Sequence, residues 1–197
     1  MGKTKVKTKA EKVDLKAAKA AARWREHPVV QTAGWVSEIA DQPQLLSLCA
    51  GTLVTGLVRR DARLAATGTR MLASAIVAIA TKDAAKRMID RTRPGVVMDG
   101  GEYRMKKGEG TGDGELGSFP SGHTAGAVAV ARALSRGYPA AGPAATVTAG
   151  LIAAVQVPRC AHYPTDIGVG AVIGWLAEAA VTAGERLIRK GEHAGVD

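Results

Sequence analysis

Lys86 and Arg93 lie seven residues apart in the stretch KRMIDRTRP. That is about two helical turns, so both cations fall on one face at a helix end, and Pro94 favours termination there. A second stretch, SFPSGHTAG over 118–126, joins turn chemistry at Pro120, Ser121 and Gly122 to a run of helix formers. It places His123 on a first helical turn, with Ser121 as the expected N-cap. A third stretch, RCAHYPTD over 159–166, has Pro164 where a first turn tolerates proline; His162 stands just before it and Asp166 four residues after His162. Each piece alone is ordinary: a solvated helix end, a capped turn, a first-turn carboxylate. Together they form a chemical set. Two or three cations and helix N-termini suit a phosphoryl group. An Asp beside a His fixes the imidazole tautomer and leaves the other ring nitrogen free to attack. A second His can protonate a leaving oxygen. No carboxylate cluster accompanies the set, so neither a metal nor another cofactor is expected.

Helices must position these stretches. Five core segments are expected, over 44–58, 64–89, 121–134, 144–157 and 165–188, separated by turn residues and by a loop over 95–117 that holds eight glycines. No alternation of a β-strand persists. The fold class is therefore all-α, an antiparallel bundle of about five core helices. In such a bundle the ends of the second and fourth segments and the starts of the third and fifth share one side, where Lys86, Arg93, His123, His162 and Asp166 converge. As membrane spans the segments read as marginal, because a span needs about 20 apolar residues. Arg132 interrupts the third and Glu178 the fifth.

Only 4% of the 197 residues are aromatic, which suits close-packed helices better than a β-sandwich. Cys49 and Cys160 lie far apart and imply neither a disulfide framework nor a zinc site. Residues 1–26 hold nine Lys/Arg against three acids and so carry six of the nine net positive charges. The division expected is a basic N-terminal arm over 1–30, a helical-bundle domain over 31–190 and a tail over 191–197. The arm suits an anionic membrane surface better than nucleic acid, since no aromatic interleaving or nucleic-acid motif accompanies it. It is also expected to be separable from turnover on a soluble substrate. The oligomeric state is left open.

The sequence resembles the type 2 phosphatidic acid phosphatase superfamily, which includes bacterial acid phosphatases and vanadium-dependent haloperoxidases. The family pattern is a Lys, six residues and Arg-Pro; then Pro-Ser-Gly-His; then Ser-Arg, five residues, His, three residues and Asp. Here Lys86 leads to Arg93-Pro94, Pro120 to His123 match in full, and His162 and Asp166 close the third part, over a resemblance from about 45 to 185. The family's Ser-Arg falls on Val155-Gln156, so the arginine is missing.

The resemblance implies that His162 attacks phosphorus, Asp166 orients it, and His123 is the general acid. Lys86, Arg93, Ser121 and the Gly122 amide would hold the phosphate oxygens. Arg159, three residues beyond Gln156, would supply the missing cation, with Gln156 as a neutral donor. The implied reaction is metal-independent hydrolysis of a phosphomonoester or diphosphate of a lipid, in a membrane-associated protein of the bacterial inner-membrane type. A soluble acid phosphatase of broad specificity and a non-catalytic membrane-binding module are the alternatives.

Overall fold

The computed structural model describes residues 8–109 and 113–194. Among these residues the chain forms α1 (Lys9–Ala22), α2 (Pro28–Ser37), α3 (Gln42–Val58), α4 (Ala62–Met88), α5 (Pro94–Met98), α6 (Gly122–Gly137), α7 (Gly142–Val155) and α8 (Pro164–Ala194). Strands β1 (Ile89–Arg91) and β2 (Met105–Lys107) pair antiparallel, with Asp90 opposite Lys106. The five expected core segments are α3, α4, α6, α7 and α8. The glycine-rich loop is not plain coil: it carries α5, β2 and a 3-10 turn over Gly114–Leu116. Its Gly110 and Gly112 lie outside the described residues.

Helix α6 is the centre, packed by α4, α7 and α8. Its buried face is small: Ala125 and Ala129 meet Ala78, Ile173 and Ala177, while Ala127 and Ala131 meet Ala149 and Ile152. Alanine and glycine let the axes approach closely. A Cβ on Gly174 would stand 2.3 Å from the Ala125 carbonyl oxygen, and one on Gly170 would stand 2.6 Å from that of Ser121. Leu45, Cys49, Met71, Ala75 and Val130 fill the layer between α3, α4 and α6.

Glu178 does not interrupt α8. It is fully buried, with its carboxylate held by Arg132 at 3.0 Å, by Arg136 and by the Thr182 hydroxyl at 2.6 Å. Helices α4, of 27 residues, and α8, with an apolar run over Pro164–Ile188, are long and apolar enough to cross a membrane.

Where it is described, the basic segment is helical and packed on the bundle domain. Helix α1 starts with a capping box between Thr8 and Glu11 and buries Glu11, Asp14, Leu15 and Ala18. These lie three or four residues apart and make one stripe. Leu15 and Ala18 pack with Tyr103 and Tyr163, while Lys9, Lys12, Lys16 and Lys19 remain exposed. Lys3, Lys5 and Lys7 of the expected arm, and residues 195–197 of the expected tail, lie outside the described residues.

Candidate active site

The end of α4 and the turn before α6 are tied together by cations. Lys86 donates to the Gly117 carbonyl at 2.6 Å, and Arg93, the residue before α5, donates through Nε to the Gly114 carbonyl at 2.7 Å. Ser121 caps α6: its hydroxyl accepts from the Thr124 N–H at 3.4 Å. The Ser121 N–H donates to the Asp166 carbonyl at 3.0 Å, which joins the starts of α6 and α8.

His162 hangs from the end of α7. The Gln156 carbonyl accepts from the Ala161 and His162 N–H groups at 3.0 and 3.2 Å. Cys160 takes a left-handed φ of 57° in this turn, an uncommon state for a residue with a Cβ. The His162 ring lies with Nδ1 2.6 Å from the Ser118 carbonyl oxygen. A carbonyl only accepts, so Nδ1 carries the proton and Nε2 keeps a free lone pair. Asp166 is not the direct partner: its Oδ2 stands 4.0 Å from Nδ1. That carboxylate instead accepts from the Ser118 hydroxyl at 2.6 Å, the Tyr163 N–H at 2.9 Å and Arg91 at 2.5 Å. The chain of contact thus runs from Asp166 through Ser118 to His162. Burial, with Arg93 and Lys86 nearby, pushes the His162 pKa well below 6.5, so the ring is neutral at pH 7.

A cavity of about 100 Å³ is lined by Lys82, Lys86, Arg93, Gly122, His123 and His162. It is therefore where five of the expected residues meet. Lys82 was not foreseen, although it lies one turn before Lys86 on the same helix face. Its chain packs on Gly122, where a Cβ would stand 3.0 Å from Lys82 Cδ, and its ammonium pairs with Asp83 at 2.6 Å. His123 Nε2 is buried without a hydrogen-bond partner, 3.7 Å from Glu38 Oε2. Burial lowers the His123 pKa, and Glu38 opposes that shift.

The two residues expected around the missing arginine sit elsewhere. Arg159 donates to the Ser37 hydroxyl at 2.9 Å and pairs with Glu38 at 2.6 Å, beside the cavity and not among its lining residues. Gln156 is fully buried, with Nε2 on the Ile152 carbonyl at 3.0 Å and on the Ser37 hydroxyl at 3.2 Å. Its side chain ties the end of α7 to Ser37, while its carbonyl holds the turn that carries His162. Glu38 and Asp14 join the site's surroundings only through tertiary contacts, while Arg91 and Ser118 lie within the motif stretches but their roles follow from contacts that the spacing does not show.

The fold and site define a helical bundle that gathers two histidines and three cations at one end. The PAP2 superfamily profile matches residues 67–187, and the chain belongs to that superfamily. All three motif stretches lie inside the match. Among solved structures, Aquifex aeolicus LpxE is similar with a TM-score of 0.66 at 17% identity, covering 93% of this chain and 99% of that one. A transmembrane PAP2 type phosphatidylglycerolphosphate phosphatase from Bacillus subtilis is similar with a TM-score of 0.62 at 20% identity, covering 92% and 89%. At these identities the likeness establishes the fold. No curated protein sequence matches the chain.

Proposed function

We propose that the protein is a membrane-seated lipid phosphatase that hydrolyses a phosphomonoester or diphosphate through a phosphohistidine, without a metal ion. One observation carries this reading: the neutral His162, its Nδ1–H fixed on Ser118, shares a small cavity with Lys82, Lys86 and Arg93. The Nε2 lone pair attacks phosphorus as the bond to the leaving oxygen breaks, and His123 delivers a proton to that oxygen. Water then attacks the phosphohistidine, the P–N bond breaks, and His123 recovers a proton. The cations stabilise charge on the equatorial oxygens through both steps. Ser121 holds the turn that presents the Gly122 amide to those oxygens.

A lipid substrate is favoured by the surroundings. An apolar groove of about 340 Å³ runs between α3, α6 and α7 and shares Ala40 and Leu45 with the cavity. Exposed apolar side chains such as Val54, Leu57, Leu151, Val172 and Leu176 surround the bundle. The similar structures from Aquifex aeolicus and Bacillus subtilis are those of a protein named LpxE and of a phosphatidylglycerolphosphate phosphatase.

The test is trapping of an acid-labile, base-stable phosphoryl group on the protein together with phosphate release from lipid and soluble phosphates, with chelator present. Turnover is expected with chelator, and a base-stable phosphoryl adduct is expected on wild type and absent from His162→Ala. Undiminished turnover by His162→Ala, or loss on chelation with recovery on adding Mg²⁺, would refute the mechanism.

A further inference from the structure

We propose that Asp14, on the N-terminal helix α1, is a positioning residue for His162, acting through Arg91 and Asp166. The inference rests on reading His162 as the nucleophile. Asp14 and Arg91 are each 1% exposed and Asp166 is fully buried, so three charges are enclosed together. Arg91 donates through Nη2 to Asp14 at 2.7 Å and through Nη1 to Asp166 at 2.5 Å. The guanidinium lies over the Tyr163 ring at 4.1 Å. One planar cation is thereby clamped at both of its ends, and its second end fixes the carboxylate that holds Ser118.

Asp14 also reaches α8 directly. Its Oδ1 accepts from the Thr165 N–H at 3.1 Å, and its Oδ2 accepts from the Thr165 hydroxyl. Thr165 is the second residue of α8, so its N–H has no partner inside that helix. A carboxylate from another helix fills the role of the cap, at the helix start that presents His162 and Asp166. Both routes end at the imidazole: Asp14 to Arg91 to Asp166 to Ser118, and Asp14 to the start of α8.

Charge explains the strength of the coupling. Removing Asp14 leaves the buried Arg91 with a single carboxylate and an Nη2 that has lost its carboxylate partner. The guanidinium then turns toward whatever acceptor remains, Asp166 follows it, and the Ser118 carbonyl no longer sits in line with Nδ1. On this proposal Asp14 ties helix α1 to the site, so removal of residues 1–26 would lower turnover even on a soluble phosphate, the opposite of the separability expected for that segment.

The test uses the full-length protein in detergent with a short soluble phosphate. Asp14→Ala is expected to lower kcat by about tenfold or more, the scale of losing a group that orients a reacting ligand, with KM changed by less than about twofold. Asp14→Asn keeps the shape and loses the charge, so it should fall likewise, while Asp14→Glu recovers part of the rate. Leu15→Ala removes packing from the same face and keeps the charge; it should lower thermal stability and retain kcat. The imidazole Nδ1–H resonance of His162 should move in Asp14→Asn and stay in place in Leu15→Ala. Wild-type kcat and an unmoved resonance in Asp14→Asn would overturn the proposal, as would an equal kcat loss in Leu15→Ala. If wild type forms no phosphohistidine, it is the nucleophile reading that has failed. The resonance then decides the positioning claim alone, a shift supporting it and its absence overturning it.

Discussion

His123 stands between opposing influences. Burial disfavours its charged form most, Glu38 at 3.7 Å favours it, and Arg159 disfavours it. If His123 is the general acid, as proposed, it must be protonated in the free enzyme, so kcat/KM should fall as pH rises through its pKa, which burial holds below 6.5. With an alkyl phosphate as substrate, Arg159→Ala removes a nearby cation and releases Glu38 from its ion pair. Both changes raise the His123 pKa, so the alkaline limb should move to higher pH. Glu38→Gln should move it to lower pH. The measurement is the pH profile of kcat/KM for the three proteins side by side. Displacement of both variants in the same direction would show that His123 does not set this limb. The same comparison separates two roles for Arg159. As a phosphate ligand it would raise KM when removed and leave the limb in place.

At the scale of helices, the site depends on how closely α6 and α8 approach. Gly174 faces the Ala125 carbonyl, where an added Cβ would stand 2.3 Å away. Gly174→Ala is expected to destabilise by about 1–3 kcal/mol, the usual range for overpacking, and to lower the thermal midpoint by several degrees. Gly184, on the same helix with open space at its Cβ position, gives the control: Gly184→Ala should keep the midpoint. Equal midpoints for the two variants would mean that α8 shifts without cost. These helices were readable in the sequence because long apolar runs and turn residues delimit them, and the motif stretches were readable because their residues are contiguous. Helix α1 was hidden because its four exposed lysines dominate the composition while only Asp14, Leu15 and Ala18, with Glu11, mark the buried stripe. The hairpin was hidden because strands of three residues are too short to show alternation. Spacing placed Asp166 one turn from His162 and so suggested direct contact. The intervening Ser118, 44 residues away from His162 in the chain, could not be read from that spacing.

For the whole molecule the main question is where it resides. Trp175, Leu176 and Val172 on α8, Leu151 and Val147 on α7, and Leu57 and Val54 on α3 are each at least half exposed. A surface of this kind, on a bundle with two helices of spanning length, suits lipid. The protein is expected to stay with the membrane fraction in high salt and at alkaline pH, and to be released by detergent. Release by salt alone would mean that the lysines of α1, and not the bundle, hold it there. The Glu178 cluster acts over the same long dimension. Its arginines sit 9 and 13 residues beyond His123 on α6, and Glu178 sits 12 residues beyond Asp166 on α8. That is roughly 14–20 Å from the chemistry along each helix. Helices slide past one another in steps of a turn, about 5.4 Å, and a slip of one step would break this cluster and part the two histidines by more than the width of a phosphoryl group. A charge cluster built on the buried Glu178, far along the helices from the cavity, therefore acts as a detent: it admits one alignment of α6 against α8, and the spacing of His123 and His162 is inherited from it.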